Sequence, residues 1–180
     1  MRRARSKEHP RPQGPDHLAA EPGLVRRCRL DEAASSFPEL NFIVEHVGLP
    51  RLEDFCWIGT QEPNVYGGLA VAIPFMHTRP RYFAKVIGEL LYWLGEDRIL
   101  FGSDYAIWSP KWLVEKFVDF QIPDDAEFSD YSELSPDIKR QILGLNAAKL
   151  YDLEVPEELR LVTADQGTGF DIEEKPATER

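Results

Sequence analysis

Apolar residues recur along the middle of the chain with two different periods. Phe83, Val86, Ile87, Leu90, Leu91 and Leu94 are spaced by three, one, three, one and three, which lines one face of an α-helix. Pro80 suits the first helical position and Gly95 the stop, so the spacing predicts a helix over 80–94. Leu40–Val44 is instead an unbroken apolar run of β-branched and aromatic residues. It ends at Glu45-His46-Val47-Gly48 with Pro50 behind it, and it predicts a buried strand. Asn64–Ala72 predicts a second strand, weakened by Gly67 and Gly68, and Arg98–Phe101 a third. Arg29–Phe37 is compatible with a short helix, and 51–61 reads as a short helix or an irregular crossover. Ser109-Pro110 opens a helix with Leu113, Val114 and Phe117 on one face. Ser135-Pro136 opens a last one bearing Ile138, Ile142, Leu145 and Leu150, with an acidic, loop-like 121–133 between them.

Short apolar strands alternating with amphipathic helices predict parallel βα units, and so an α/β fold. Function in such folds gathers where strands end. His46 ends the first predicted strand and Asp104 follows the third, in ILFGSDYA. An imidazole and a carboxylate facing one cavity could ligate a divalent metal or act as acid and base on its bound water. On spacing alone, a satisfied structural His and a capping Asp are equally serious readings. Tyr105, Trp108 and Trp112 either line a substrate mouth or cover the end of the fold. His77 reads as a surface-loop group with a smaller claim on the site. Arg79 and Arg81 read as a solvated helix start rather than as anion binders. The chain has no G-x-G-x-x-G run, which leaves a dinucleotide site unsupported.

Composition sharpens this picture in three places. At 180 residues, 43% hydrophobic and 11% aromatic, one domain with tails and a real core is expected. No apolar run approaches the roughly 20 residues of a membrane helix. The opening MRRARSKEHPRPQ has charge without an apolar stretch, so no secretory signal is expected. The two cysteines, Cys28 and Cys56, form no paired motif; Cys56 is expected in the core and the protein in the cytoplasm. The net charge of −10 is split: residues 1–30 hold eight Lys/Arg against three Asp/Glu, and the remainder thirteen against twenty-eight. The acidic body argues against nucleic acid as the main partner.

Four stretches together carry a resemblance: FIVEHVGLP at 42–50, NVYGG at 64–68, GEDRILFGSDY at 95–105 and ILGLNAAKLYDL at 142–153. From about Leu30 to Leu159 the chain resembles the C-terminal half of an amidohydrolase-related protein. The resemblance implies a partial (β/α)₈ TIM barrel, covering roughly strands six to eight. It implies metal-dependent hydrolysis, or non-oxidative decarboxylation, of a small organic substrate. The cofactor would be a divalent metal, with zinc first and manganese or iron as alternatives. Carried over by position, His46 binds metal or orders the attacking water, and Asp104 binds metal and serves as base. Tyr105 and Trp108 remain the weaker substrate candidates, by their place just after Asp104. The family's first-strand metal pair has no counterpart in this sequence, so weak metal binding is expected. An inactive remnant or accessory domain, pairing through its open sheet edge with a partner or a second copy, is the alternative.

Three segments are therefore expected: a basic arm over 1–29, the barrel half over 30–160 and an acidic tail over 161–180. The arm is rich in Arg, Pro, Gly and His and lacks either period, which fits disorder. A frameshifted reading is the favoured account of it. Moving one base forward through the codons of Glu8 to Pro15 permits a strand-like series ending His, Lys/Arg, Gly.

Overall fold

The structure is a computed structural model that describes residues 22–105 and 108–156, with side chains from Arg29 onward. A helix, α1 (Pro22–Ser36), leads into strand β1 (Phe42–Glu45) and a 3₁₀ turn at His46–Gly48. Helix α2 (Leu52–Gln61) then leads into β2 (Val65–Gly68) and a second 3₁₀ turn at Ala70–Ala72. The short α3 (Phe75–Thr78) and the long α4 (Pro80–Leu94) lead into β3 (Ile99–Leu100). After α5 (Pro110–Asp119) comes the acidic loop. The last helical run is α6 (Pro136–Arg140), a π turn at Gln141–Leu145 and α7 (Asn146–Leu150). The three strands form one parallel sheet in the order β1-β2-β3, pairing Phe42 with Val65 and Gly68 with Leu100.

Most elements follow the patterning, with instructive differences. Helix α1 begins at Pro22, eight residues before the boundary expected at Leu30; residues 1–21, 106–107 and 157–180 lie outside the described residues. The second strand stops at Gly68, because the chain turns immediately at Ala70, burying Leu69, Ala70 and Ala72 while Val71 is exposed. Its glycines are needed for close approach. A Cβ on Gly67 would lie 3.2 Å from the Phe55 ring, and one on Gly68 would lie 2.7 Å from the Glu45 carboxylate.

The core lies between the sheet and the helices. Phe42, Val44, Val65 and Ile99 pack toward α2 and α4, where Phe55, Ile58, Phe83, Ile87 and Leu90 meet them. On α4 the whole predicted stripe is inward, while Lys85 is exposed and 3.6 Å from Glu53. Glu89 is not left to solvent. It accepts a bond from Tyr131 Oη at 2.7 Å and one from Trp93 Nε1 at 2.9 Å, so the acidic loop folds over α4.

Polar side chains, two of them buried, tie the N-terminal ends of the strands. Asn64 Nδ2 donates among the carbonyls of Ala34, Phe37 and Leu40, fixing the approach to β1. Arg98 donates to the carbonyls of Gly59 and Leu94, in the last turns of α2 and α4, and to that of Glu62, just after α2, which also accepts from Val65 N. Asn146 Nδ2 donates to Glu96 O at 2.6 Å and Ile99 O at 2.8 Å, clasping the last helix to β3. In GEDRIL and NAAKL, Arg98 and Asn146 thus serve backbone acceptors at the ends of the elements.

Candidate functional site

The C-terminal edge of the sheet collects the candidate groups. β1 runs into Glu45 and His46, β2 into the turn at Ala70–Ala72, and β3 into the loop bearing Asp104. Because the strands are parallel and β2 lies between the others, His46 and Asp104 share this edge. Two strand spacings, roughly 10 Å, separate their strands. The β2 turn links the two sides. It packs on the His46–Gly48 turn, and a Cβ on Gly102 would lie 3.2 Å from Ala70 N.

Both residues hold the left-handed backbone conformation, His46 at φ 61 and Asp104 at φ 45. Non-glycine residues rarely do so, although His and Asp are enriched among those that do. Val47, between His46 and Gly48, also has φ 46; for a β-branched residue this is strain, held in place by complete burial. Gly48 follows with φ 70, and a side chain there would meet Phe55 Cβ at 2.8 Å. The turn thus throws the His46 backbone out of the strand while Val47 anchors it in the core. Strain of this kind concentrates at functional sites. His46 and Asp104 are both exposed, and no hydrogen bond joins them to each other.

Glu45 is a third group on this edge, one that the apolar pattern registers only as a polar strand end. Its carboxylate lies across Gly68, at the middle of the edge. The only available sequence signal is the pairing of a Glu-His end with a Gly-Gly strand.

The other candidates separate. Tyr105 is 72% exposed, and Trp108 packs partly against the core. Trp112 stands edge-on to His77 with ring centroids 5.4 Å apart, joining α3 to α5 at the same end of the fold. Arg79 stacks over the Tyr82 ring at 4.5 Å. Arg81 is exposed at the start of α4, as expected, and there it also pairs with Asp125 at 2.7 Å and with Glu127 and lies over the Phe128 ring, tying down the acidic loop. Those bonds hold Asp125 below the usual carboxylate range.

Cys56 is buried in the core, as expected. Burial first, then the nearby Glu89 and Glu53 carboxylates, push its thiol up to about 12. A raised thiol pKa contributes stability that is complete below the unfolded value, near 8.5, and is lost as pH climbs toward 12. In a Cys28→Ser background at pH 8, Cys56 is expected to react with Ellman's reagent at least ~30-fold slower in the folded chain than in urea. Equal rates would show that the site opens readily.

As a metal site the donor set is incomplete. An imidazole and two carboxylates are suitable donor types, but among the described residues no three His, Cys, Asp or Glu side chains are grouped closely enough to hold an ion. No helix among the described residues is long and apolar enough to cross a membrane.

Comparison with known proteins supplies the frame. No curated protein matches the chain. Two crystal structures of an amidohydrolase from Burkholderia multivorans, one with bound zinc and one with bound HEPES, match it with a TM-score of 0.53 at 17% identity. The match covers 72% of this chain and 50% of theirs, so the chain spans half the length of the structures it resembles. At that identity the likeness speaks for the fold: three parallel strands with helical crossovers, as in part of an α/β barrel. The amidohydrolase family model matches residues 26–153, from the first helix to the end of the last. The chain belongs to the amidohydrolase family.

Proposed function

We propose that this chain is the part of a metal-dependent amidohydrolase that carries strands six to eight of its barrel. The enzyme would act on a small organic substrate, carboxylated or cyclic, by hydrolysis or by non-oxidative decarboxylation. One observation carries the reading: His46 and Asp104 share the C-terminal edge of the parallel sheet, both in left-handed backbone conformation. Asp104 is the proton acceptor in this reading, and His46 the group that orients or assists the attacking water. Tyr105 and Trp108 stand beside the substrate. The partner is a small molecule rather than nucleic acid or a membrane, and the compartment is the cytoplasm. The zinc of the Burkholderia structures is the precedent for a divalent metal. The described residues do not complete its shell, so the chemistry assigned to this chain is proton transfer alone.

The test is a turnover assay with zinc, manganese or ferrous iron added, preceded by elemental analysis after dialysis. Lactones and cyclic amides report hydrolysis; aromatic carboxylates report CO₂ release. Asp104→Asn and His46→Gln are each expected to lower kcat/KM by about 10²–10⁴. A measurable rate that neither substitution changes would overturn the assignment. A second reading, an accessory domain that binds through its sheet edge, is favoured by the outer side of β1, which pairs with no strand among the described residues. It would be supported by no turnover together with no retained metal.

A further inference from the structure

Helices α2 and α4 cover the same face of the sheet and pack on one another. The seam between their outward sides therefore lies on the outside of the molecule, whatever flanks the sheet. Three aromatic side chains meet on that seam. Trp57 of α2 stands edge-on to Trp93 of α4 with ring centroids 6.2 Å apart, and Tyr92 stands edge-on to Trp93 at 5.1 Å. Trp57 is 54% exposed and Tyr92 69%, so much of each ring is open to water. Trp93 is held in place. Its Nε1 donates to Glu89 Oε2 at 2.9 Å, its carbonyl accepts from Thr60 Oγ1 at 3.0 Å, and the other Glu89 oxygen accepts from Tyr131 Oη.

Carboxylates accompany the rings. Glu89 lies one turn before Trp93 on α4, and Glu53 one turn before Trp57 on α2. Lys85, the cation beside them, is 3.6 Å from Glu53. The fold shows elsewhere how it holds a guanidinium: Arg81 lies over the Phe128 ring at 4.9 Å and pairs with the Asp125 and Glu127 carboxylates. The seam offers the same set of rings beside carboxylates. Among the described residues, no cation stands over Trp57, Tyr92 or Trp93. Arginine suits this set better than lysine, because its planar group stacks on a ring while its N–H groups reach carboxylates. Charge points the same way: residues 31–180 carry thirteen Lys/Arg against twenty-eight Asp/Glu.

We propose that the α2–α4 seam docks an arginine-rich segment of another polypeptide, with guanidinium groups on Trp57 and Tyr92 and the Glu53 and Glu89 carboxylates as their counter-charges. The proposal is independent of the catalytic reading, and its test needs no activity.

The full chain is titrated with a hexa-arginine peptide by isothermal titration calorimetry. Trp57→Ala and Tyr92→Ala are each expected to weaken binding about 3–10-fold, the size of one cation–π contact. Trp57→Phe, which keeps a ring, is expected to lose less than Trp57→Ala. A hexa-lysine peptide of equal charge is expected to bind at least ~3-fold more weakly. Tyr151→Ala removes an exposed ring at the end of α7 and is expected to bind like the parent. These side chains are all exposed, so the variants are expected to fold, which circular dichroism checks.

Affinity that neither alanine substitution on the seam changes, or equal affinity for the two peptides, would mean attraction to net charge alone and would overturn the proposal. Absence of binding by the parent would overturn it too. The chain with Arg2→Ser, Arg3→Ser and Arg5→Ser combined then separates the reasons. Binding by that variant would make the chain's own basic arm the occupant, and no binding would mean that the seam takes no arginine.

Discussion

Replacing Phe83 by Ala is expected to cost about 3–5 kcal/mol of unfolding free energy, the largest effect of any single truncation considered for this chain. Phe83 is fully buried on α4, and its ring meets those of Phe117 and Phe120 edge-on, with centroids 6.3 and 4.9 Å away. It is the main aromatic joint between the long crossover helix and α5, the helix that follows the Asp104 loop. Truncation removes apolar area and two edge-to-face contacts, each worth about 0.5–1.5 kcal/mol beyond burial. It also leaves a void that neighbouring rings cannot fill without leaving their rotamers. Domains of this size are stable by only about 5–15 kcal/mol, so a marginal parent would populate unfolded chains at room temperature. Urea titration followed by circular dichroism measures the loss. A cost below about 1 kcal/mol would mean that α5 is not packed on α4 as described.

Leu90→Ala is expected to cost about 2–5 kcal/mol, and Lys85→Ala, five residues earlier on the same helix, less than about 0.5 kcal/mol. Leu90 is fully buried against the sheet side of the core; Lys85 is exposed and only loosely paired with Glu53. A chain of this length loses roughly 2–4 °C in Tm per kcal/mol, so the pair should separate by several degrees in a melting curve. If the two substitutions shifted Tm equally, the helix would be facing the wrong way. The comparison needs no knowledge of substrate or metal, and so tests the fold apart from the function.

The candidate site was legible in part, for a definite reason. His46 and Asp104 stand at the ends of apolar runs in the sequence, and strand ends are where α/β folds expose side chains, so their place on one edge could be expected. Their backbone conformation could not. The left-handed His46 depends on Val47 being buried in the same conformation and on Phe55 crowding Gly48, contacts between residues that share no period. Glu45 gains interest only because Gly68, on the neighbouring strand, lets its carboxylate lie across the edge. Arg81 illustrates the converse: a solvated cation at a helix start was legible, but its partners Asp125 and Glu127, distant in sequence, were not.

By itself the sequence determined the order and type of the main elements, the inward face of α4 and the strands' parallel arrangement. Each of these follows from local periodicity and from which residues must leave water. Only the tertiary structure decided where β2 stops, that the acidic loop closes over Glu89, that Arg98 and Asn146 serve backbone acceptors, and that the last helical run caps the outer side of β3. Those outcomes depend on pairing between groups distant in sequence, and a buried N–H or C=O takes whichever partner the assembled fold brings within reach.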